Sequence, residues 1–430
     1  TCSPGRTGAR NASWRDCSPV LSCQPGTLPN DCASTPDTWL GIVSSMTPPQ
    51  DHGLDLGPLT GVHVVDLTSN VAAPFGSAIL ADLGADVLHV EAPKGDDCRR
   101  MAPSSGRGSA YFSIVNRNKT GMTLDIRIAE DRRTLDDLIA GADVFVTNLR
   151  PGKLEALGLD TSSLNKKYPR LIHASLSAYG QSGPERDKPG YDAVLQARTG
   201  IASVTGEANG PPVRAGVSIL DVGAGTWLAL GVLAALYERQ TTGRGSAVST
   251  SLFETGASWV AYHLAAHQVT GKPSQRHGSG HPAFAPYGIY RTQRGEICIG
   301  IGGDHLFREL CEAIGRYDLI DDERFRSNGD RARNSGELRT ELERTFESKS
   351  ALEWASQLSD RGLPVDAVNQ PEDLLTDRQS RETGILQEIV GPDGRGMRIP
   401  GLPITFDGER PRFRMPAPDL SDADRPSPRD

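Results

Sequence analysis

The sequence predicts an α/β protein with a large, doubly wound, Rossmann-like domain and a smaller α+β domain. Short apolar strands alternate with helical patterns between residues 62 and 176, and this alternation is typical of the βαβ units that build a parallel sheet. After about residue 282, short strands mix with charged helices instead, which indicates a separate domain. A chain of 430 residues is long enough for more than one folding unit.

The first strand, helix and strand form the clearest unit. Residues 62–67 (VHVVDL) and 87–91 (VLHVE) are short apolar runs, which predicts two buried strands. Between them, residues 73–83 carry small and apolar side chains at helical spacing. The alternation continues with a charged helix at about 130–140 and with strands at 143–147 and 171–176.

The segment 222–237 (VGAGTWLALGVLAALY) is apolar on nearly every side, which predicts a buried helix. It is shorter than the roughly 20 residues that cross a bilayer, so we expect no membrane span. A turn at 241–245 precedes a strand that runs into a long helix at 247–270. Short strands at 287–290 and 296–300 open the smaller domain.

Composition divides the rest of the chain. Residues 1–55 are rich in Pro, Ser, Gly and Thr, and we expect a disordered or non-native extension, with Met46 as a natural start. The alternative for this segment is a small disulfide or metal module, but its cysteines, at positions 2, 17, 23 and 32, lack paired C-x₂-C spacing. The predicted divisions are a large domain at 56–270, a small domain at 271–375, a return to the large domain at 376–410 and a flexible tail at 411–430.

Charge and motifs exclude several classes of function. The formal net charge of -8 argues against nucleic-acid binding, which normally needs a basic face. No signal-peptide core is visible, so we expect a cytoplasmic protein without membrane partners. The Cys residues show no C-x₂-C metal-ligand spacing, and we expect no metal site; no Walker or G-x-S-x-G motif occurs. The Gly-rich GIGGDH at 300–305 lacks the third glycine of a dinucleotide fingerprint.

Two carboxylates remain as candidates for chemistry. Asp221 follows the strand-like SIL of SILDVGAGTW and precedes the buried helix, where an open sheet places its ligand crevice. It could instead be a helix N-cap, which is worth about 1 kcal/mol. The glycines on either side of Ala224 weaken that alternative, because they are costly in a helix and let a ligand approach the backbone. Asp192, in KPGYD, has the same two interpretations.

The ordered motifs resemble those of class III CoA-transferases, the family of formyl-CoA and carnitine CoA-transferases, which is related to the α-methylacyl-CoA racemases. The resemblance covers about residues 57–406, and the order and spacing of the motifs carry it. The motifs are GPLTGVHVVDLTSNVAAPFGSAILADLGADVLHVEAPKGDDCR, NRNKTGMTLDIR, NLRPGKLEALGLD, SAYGQSGPERDKPGYD, SILDVGAGTWLALGVLAALYERQTTGRG and HPAFAPYGIY.

The resemblance implies a mechanism. Asp221 would attack an acyl-CoA thioester to form a mixed anhydride, CoA would convert it to a β-aspartyl-CoA thioester, and an acceptor acid would collect the CoA. Asp192 would support the reacting centre. The small residues after Asp221 would admit the thioester carbonyl and offer backbone N–H groups to the oxyanion. A glycine-rich loop shields the intermediates in the family, and Gly278-Ser279-Gly280 is the nearest equivalent here.

The resemblance also implies substrates and partners. CoA would be a substrate and not a tightly bound cofactor, and the protein would form an interlocked, ring-like homodimer. Val71 stands where the formyl-CoA enzyme has a glutamine, which disfavours formyl and oxalyl groups. The implied CoA groove consists of Ser69, Asn70, Ala72, Leu124, Arg127, Asn148, Leu149 and Lys153. The basic residues available to the phosphates are Arg150, Lys153, Lys94, Arg99 and Lys119.

Two alternatives stay open at this point. An acyl-CoA racemase or epimerase would need a His where this chain has Tyr191, and a tyrosine of ordinary pKa, about 10, is a poor base near neutral pH. A CoA-binding relative without activity would fit Ala92 and Ala156, which stand where the family has arginines.

Overall fold

The computed structural model describes residues 57–105, 108–391 and 393–420. The predicted extension at 1–55, with its four cysteines and Met46, lies outside the described residues, as do residues 421–430 of the predicted tail. The domain boundaries given above remain predictions.

Six parallel strands form the main sheet, which confirms the predicted α/β class. Five of the strands coincide with predicted ones to within about two residues. The strands are β1 (His63–Leu67), β2 (Asp86–Glu91), β3 (Lys119–Thr123), β4 (Val144–Thr147), β5 (Ile172–Ser177) and β6 (Ala247–Ser251). They lie in the order β3-β2-β1-β4-β5-β6, so the direction in which strands are added reverses between β1 and β4. Ligands of open α/β sheets bind at such a reversal, beyond the carboxyl ends of the strands.

Helices cover both faces of this sheet. The helices of the described residues are α1 (Ala72–Asp82), α2 (Ala110–Val115), α3 (Ala129–Ala140), α4 (Pro151–Leu157), α5 (Thr161–Lys167), α6 (Asp192–Thr199), α7 (Ile201–Val204), α8 (Ile219–Thr242), α9 (Leu252–Trp259), α10 (Ala261–Thr270), α11 (Asp304–Ala313), α12 (Asp318–Asp321), α13 (Asn328–Arg333), α14 (Ser335–Phe346), α15 (Ala351–Ser359) and α16 (Arg378–Glu382), with 3₁₀ turns at Asp97–Arg100 and Pro371–Leu375. Because side chains alternate along a strand, Val64 packs with α1 and α8, whereas Val65 packs with α3, α4 and α5.

Helix α8 is longer than the sequence predicts. It runs from Ile219 to Thr242, so the strand-like SIL segment forms its first turn. Among the described residues, α8 is the one helix that is long and apolar enough to cross a membrane, by length and composition alone. Its most apolar 18-residue window has a mean hydropathy of 1.8, and half of that window is buried. The prediction that it is too short to span was therefore wrong. The helix packs along α1 and against β5 and β6.

A second core lies between residues 285 and 365. Strands β7 (Tyr287–Arg291), β8 (Glu296–Gly300) and β9 (Val365–Ala367) form an antiparallel sheet in the order β9-β8-β7. Apolar side chains of this sheet pack against α11, α14 and α15. Two further antiparallel pairs are β10 (Leu386–Val390) with β11 (Gly396–Pro400), and the short ladder of Ser104–Ser105 with Gly108–Ser109.

Part of the predicted flexible tail lies against the main sheet. The backbone N–H of Asn118 donates to the carbonyl oxygen of Met415 (3.0 Å), and the N–H of Met415 donates to the Asn118 side chain (3.0 Å). Arg99 donates to the carbonyl oxygen of Pro418 (2.9 Å). Residues 412–418 therefore pack beside β3, although their composition favours a loose tail.

Candidate active site

Reciprocal hydrogen bonds join the loops that follow β1 and β4 at the crevice between these strands. The Ser69 N–H donates to Oδ1 of Asn148 (3.1 Å), and Nδ2 of Asn148 donates to the Ser69 carbonyl oxygen (2.7 Å). Asn70 adopts a left-handed backbone with φ of 67°, which asparagine tolerates better than most residues. Its N–H donates to both oxygens of Asp96 (3.1 and 3.0 Å). The two loops that follow β1 and β4 are thus fixed to each other and to the segment after β2.

A cavity of about 1010 Å³ opens at these strand ends. Nine predicted site residues line it: Asp221, Asp192, Ser69, Asn70, Ala72, Asn148, Leu149, Arg150 and Lys153. The other two, Leu124 and Arg127, line a neighbouring cavity of about 760 Å³ over β2 and β3. The cavities share Ser69, Asn148, Leu149 and Lys153, so they form one continuous groove. The structure brings both predicted catalytic carboxylates and all the residues predicted for the CoA groove to this site.

The Asp221 carboxylate occupies one end of the groove without a hydrogen-bond partner among the described residues. It is half-buried in the first turn of α8, and the backbone N–H of the same residue donates to Asp192 (3.4 Å). Burial, and secondly the negative charge of Asp192, raise the pKa of Asp221 to about 7. The helix N-cap is Ser218, so the interpretation of Asp221 as the cap is wrong.

Asp192 caps α8 from another helix. Its Oδ2 accepts the N–H groups of Leu220 (2.8 Å) and Asp221 (3.4 Å), which are among the donors that a helix start leaves unpaired. Its Oδ1 accepts Nε2 of Gln196 (2.6 Å), one turn further along α6. Both side chains are buried. Asp192 is therefore a cap, as its alternative interpretation has it, but of the helix that carries Asp221.

The glycines after Asp221 serve helix packing, which corrects their interpretation as space for a ligand. A Cβ on Gly223 would lie 2.3 Å from the Trp259 ring of α9, and one on Gly225 would lie 2.5 Å from the carbonyl oxygen of Ala72 in α1. The expected oxyanion donors are also occupied. The N–H groups of Leu220 and Asp221 bind Asp192, and that of Val222 binds the Ser218 carbonyl oxygen (3.1 Å).

Two of the five predicted phosphate partners are buried in ion pairs. Lys119 donates to Asp66 (2.9 Å), and both side chains are fully buried beneath α1. Burial is the largest single influence and would raise the pKa of Asp66, but the charges of Lys119 and His89 and the hydrogen bonds from His89 and Thr68 together outweigh it and hold that pKa below its usual range. Arg99 pairs with Glu91 (2.6 Å) at the end of β2. Neither cation faces the groove, so the prediction that they bind phosphate was wrong.

The remaining cations lie on the groove or at its rim. Lys153 lines both cavities and Arg150 the larger one. Lys94, at the rim of the smaller cavity, lies 3.8 Å from the Asp97 carboxylate. Arg127 is exposed and donates to both oxygens of Asp125 (2.8 and 2.7 Å).

Three further predicted features have different positions. Val71 and Tyr191 line the cavity with Asp221, and Tyr191 is 69% exposed. The Gly278-Ser279-Gly280 loop does not line it. Ser279 accepts the Ile289 N–H (2.9 Å) through its hydroxyl, and the Gly278 N–H donates to the carbonyl oxygen of Gly206 (3.0 Å). Within the described chain, this loop packs beside β7 and not over Asp221.

Two polar residues of the site were not predicted from the sequence. Arg214 lines the cavity with Asp221, and Gln196 joins Asp192 to the segment that carries Arg214. Neither has a local signal, because a lone arginine in a loop and a glutamine in a helix are usually solvated. In the described ranges, no group of His, Cys, Asp and Glu side chains is arranged to hold a metal ion.

Residues 59–424 match the sequence profile of CoA-transferase family III. The chain is 36% identical over 376 residues to the acetyl-CoA:oxalate CoA-transferase of Acetobacter aceti, covering 85% of this chain and 94% of that protein. It is 33% identical over 370 residues to the succinyl-CoA:glutarate CoA-transferase of Homo sapiens, covering 85% and 83%. A crystal structure of a CAIB/BAIF family protein from Brucella suis matches with a TM-score of 0.77 at 32% identity, covering 85% and 97%.

Proposed function

The chain belongs to CoA-transferase family III and is an enzyme of that family, and from this premise we propose that it moves CoA from an acyl-CoA donor to a carboxylic acid with Asp221 as covalent nucleophile. The observation that carries the proposal is the state of the Asp221 carboxylate. It faces the large cavity, accepts no hydrogen bond from the described residues and has a pKa raised to about 7 by burial and by Asp192. A carboxylate without hydrogen bonds and with a high pKa is a stronger nucleophile than a solvated one, and half of it is ionised near neutral pH.

The proposed reaction has four steps. An Asp221 oxygen attacks the thioester carbonyl carbon, the C–S bond breaks, and CoA leaves as a thiolate with a mixed anhydride behind it. The thiolate attacks the Asp221 carbonyl carbon, which releases the donor acid as a carboxylate and leaves a β-aspartyl-CoA thioester. The acceptor carboxylate attacks that thioester, and the thiolate leaves again. It then attacks the acceptor's carbonyl carbon in the second anhydride, which releases the new acyl-CoA and the Asp221 carboxylate.

The groove supports a location for CoA. The smaller cavity is lined by apolar side chains such as Leu124 and Leu149, which suit a flat adenine ring, and Lys153 stands where the two cavities join. Arg150 lies beside it at the start of α4. We place the adenine end in the smaller cavity, the phosphates near these two cations and the thioester in the larger cavity at Asp221. Charge-assisted contacts to phosphate are worth about 1.5–3 kcal/mol each.

We propose that the carboxylic acids on which this chain acts are dicarboxylic acids. Oxalate and glutarate, which the two relatives' names give, are both dicarboxylic acids. Because Val71 disfavours oxalyl groups, we expect the substrates to be the longer members of that class.

A homodimer is also proposed. Eight large apolar side chains are exposed on three consecutive helices, α8, α9 and α10, which favours a protein partner over water at this surface. They are Val222, Trp227, Leu230, Tyr237, Trp259, Tyr262, Leu264 and Val269. Light scattering of the purified protein at micromolar concentration tests this, and a monomer would refute it.

A trapping experiment tests the mechanism. The protein is incubated with a panel of acyl-CoAs, hydroxylamine is added, and peptides are examined by mass spectrometry for a hydroxamate at Asp221. We expect modification in the wild type and none in Asp221→Asn. A thioester that the protein turns over without modifying Asp221 would refute the mechanism. Exchange of the α-hydrogen in deuterated water without transfer would indicate the racemase, and binding of CoA without either reaction would indicate the inactive relative.

A further inference from the structure

Arg214 places a cation in the Asp221 cavity without a carboxylate partner among the described residues. Its side chain makes one hydrogen bond, from Nη1 to the carbonyl oxygen of Ala215 (2.9 Å), although a guanidinium has five N–H donors. The neighbouring cations differ. Arg186 is neutralised by Glu155 (3.0 Å) and Asp187 (3.2 Å), and Lys188 pairs with a glutamate of its own loop (3.1 Å). The free donors of Arg214 are therefore available to a ligand.

The cavity otherwise carries negative charge at this end. Asp221 and Asp192 both line it. Among the described residues, the Asp192 carboxylate accepts hydrogen bonds only from the Gln196 side chain and the α8 backbone, and none of these groups is charged. A second carboxylate brought here by a substrate would be repelled unless a cation received it. Two other cations of the cavity have no ion pair among the described residues: Lys153, at the junction of the two cavities, and Arg150, at the N-cap of α4 beside it, where we place the phosphates.

One pair of buried side chains fixes the backbone beside Arg214 relative to the helix turn of Asp221. The N–H of Ala215 donates to Oε1 of Gln196 (2.8 Å), and Nε2 of Gln196 donates to Asp192 (2.6 Å). Asp192 in turn accepts the backbone N–H of Asp221. The loop with the guanidinium and the helix turn with the nucleophile are thus bound to the same two side chains of α6. A fixed separation between a cation and a nucleophile selects substrates by the distance between their two carboxyl groups.

We propose that Arg214 is a specificity-determining residue that binds the far carboxylate of a dicarboxylic substrate while the near carboxyl, or its thioester, meets Asp221. The inference rests on the proposed function, because it requires Asp221 to be the reacting group. A planar guanidinium can hold a carboxylate through two parallel hydrogen bonds, which gives direction as well as attraction. A monocarboxylic substrate of equal length leaves the guanidinium unpaired and gains nothing from it.

A pair of thioesters of equal chain length separates this role from others. Succinyl-CoA and butyryl-CoA both carry four-carbon acyl groups, and only the first has a far carboxylate. The rate of Asp221 modification is measured for each in single-turnover mixing of the full chain, without acceptor acid. We expect Arg214→Gln to slow the succinyl reaction about 10- to 100-fold and to leave the butyryl reaction within about threefold of wild type. Arg186→Gln is the matched control and should leave the ratio of the two rates unchanged.

Each other outcome overturns the inference in a different way. Equal slowing of both thioesters would assign Arg214 to CoA or to the fold, and no slowing of either would remove it from the site. A wild type that reacts with butyryl-CoA as fast as with succinyl-CoA would also refute it. If Arg214→Gln does not fold, Arg214→Lys keeps the charge without the planar pair of donors, and an intermediate, succinyl-selective loss is expected. Modification of wild-type Asp221 by other acyl-CoAs but not by succinyl-CoA would also refute the inference, whereas turnover of a thioester without modification of Asp221 is the failure of the proposed function.

Discussion

Replacement of Asp192 by asparagine should make the Asp221 carboxyl group, the proposed nucleophile, ionise at lower pH. The pKa of Asp221 is raised from 3.8 to about 7, and burial is the larger of its two causes, with the charge of Asp192 second. Asp192 therefore accounts for less than half of a rise of about 3 pH units, or at most about 1.5. We expect Asp192→Asn to move the midpoint from about 7 to about 6, and not to the ordinary value for an aspartate.

The prediction is measured as a ratio of rates. With a midpoint at about 7, the ionised fraction of Asp221 at pH 6 is roughly 0.1 of that at pH 8, and with a midpoint at about 6 it is roughly 0.5. The asparagine also presents an NH₂ group to the Gln196 amide, or to the N–H groups of α8, so the plateau rate at high pH should fall. The ratio cancels that fall. The assay is rapid-quench accumulation of the CoA adduct on Asp221, followed by intact mass.

Gln196→Leu is the matched control for the asparagine variant. It removes the hydrogen bonds of Gln196 to Asp192 and Ala215 but keeps the charge of Asp192. We expect a lower plateau rate with the midpoint still near 7. An unchanged or smaller rate ratio in Asp192→Asn would show that the charge of Asp192 does not raise the pKa of Asp221, and the electrostatic reasoning would be wrong.

Three further predictions concern stability. The pKa of Asp221 is higher in the folded protein than in the unfolded chain, so the free energy of unfolding falls as pH rises from the unfolded pKa to the folded pKa of about 7. Asp221→Asn removes this loss and should therefore gain about 1–2 kcal/mol more unfolding free energy at pH 8 than at pH 5, after allowance for solvent screening. An equal gain at both pH values would contradict this. Gly225→Val places a side chain against the backbone of α1 and should cost about 2–3 kcal/mol in urea denaturation, whereas Gly336→Ala, which meets nothing within 4 Å, should not destabilise the protein. Lys119→Met leaves Asp66 buried without the Lys119 cation and should lower the free energy of unfolding by about 3–5 kcal/mol. The additional change Asp66→Asn should restore part of that free energy. A decrease of less than about 1 kcal/mol for Lys119→Met, measured by the same denaturation, would refute the buried pair.

The strands of the main sheet were predictable because they are buried apolar runs, and burial on both faces needs little context. The strand β3 was not predicted. Its sequence, KTGMT, has a single large apolar residue, and its first residue, Lys119, is buried only because Asp66 of β1 lies beside it. The same pairing explains why Lys119 looked available to phosphate. An ion pair between residues 53 positions apart leaves no trace in either local sequence.

The site shows the same limit. All the residues assigned to the groove line it, because motifs at the ends of parallel strands converge on one edge of the sheet. What the sequence could not supply was the start of α8. The turn from Ile219 to Asp221 is helical although SIL favours a strand, because a carboxylate on α6 accepts its free N–H groups. Arg214 was missed for the same reason, since its position depends on a glutamine eighteen residues earlier.

The local sequence around Asp221 supported two interpretations, a helix cap or a nucleophile, and the structure assigns the cap to Asp192, which leaves the Asp221 carboxylate without hydrogen bonds from the described residues for its proposed role. A carboxylate that caps its own helix accepts N–H groups, which lowers its pKa and weakens it as a nucleophile. Asp192 accepts those groups instead, so Asp221 keeps its position at the head of α8 without the hydrogen bonds that the position normally brings. The charge of Asp192 then acts in the same direction as burial and raises the pKa of Asp221. The capping residue thus makes the neighbouring carboxylate more basic, and for that reason the two aspartates must be tested as a pair.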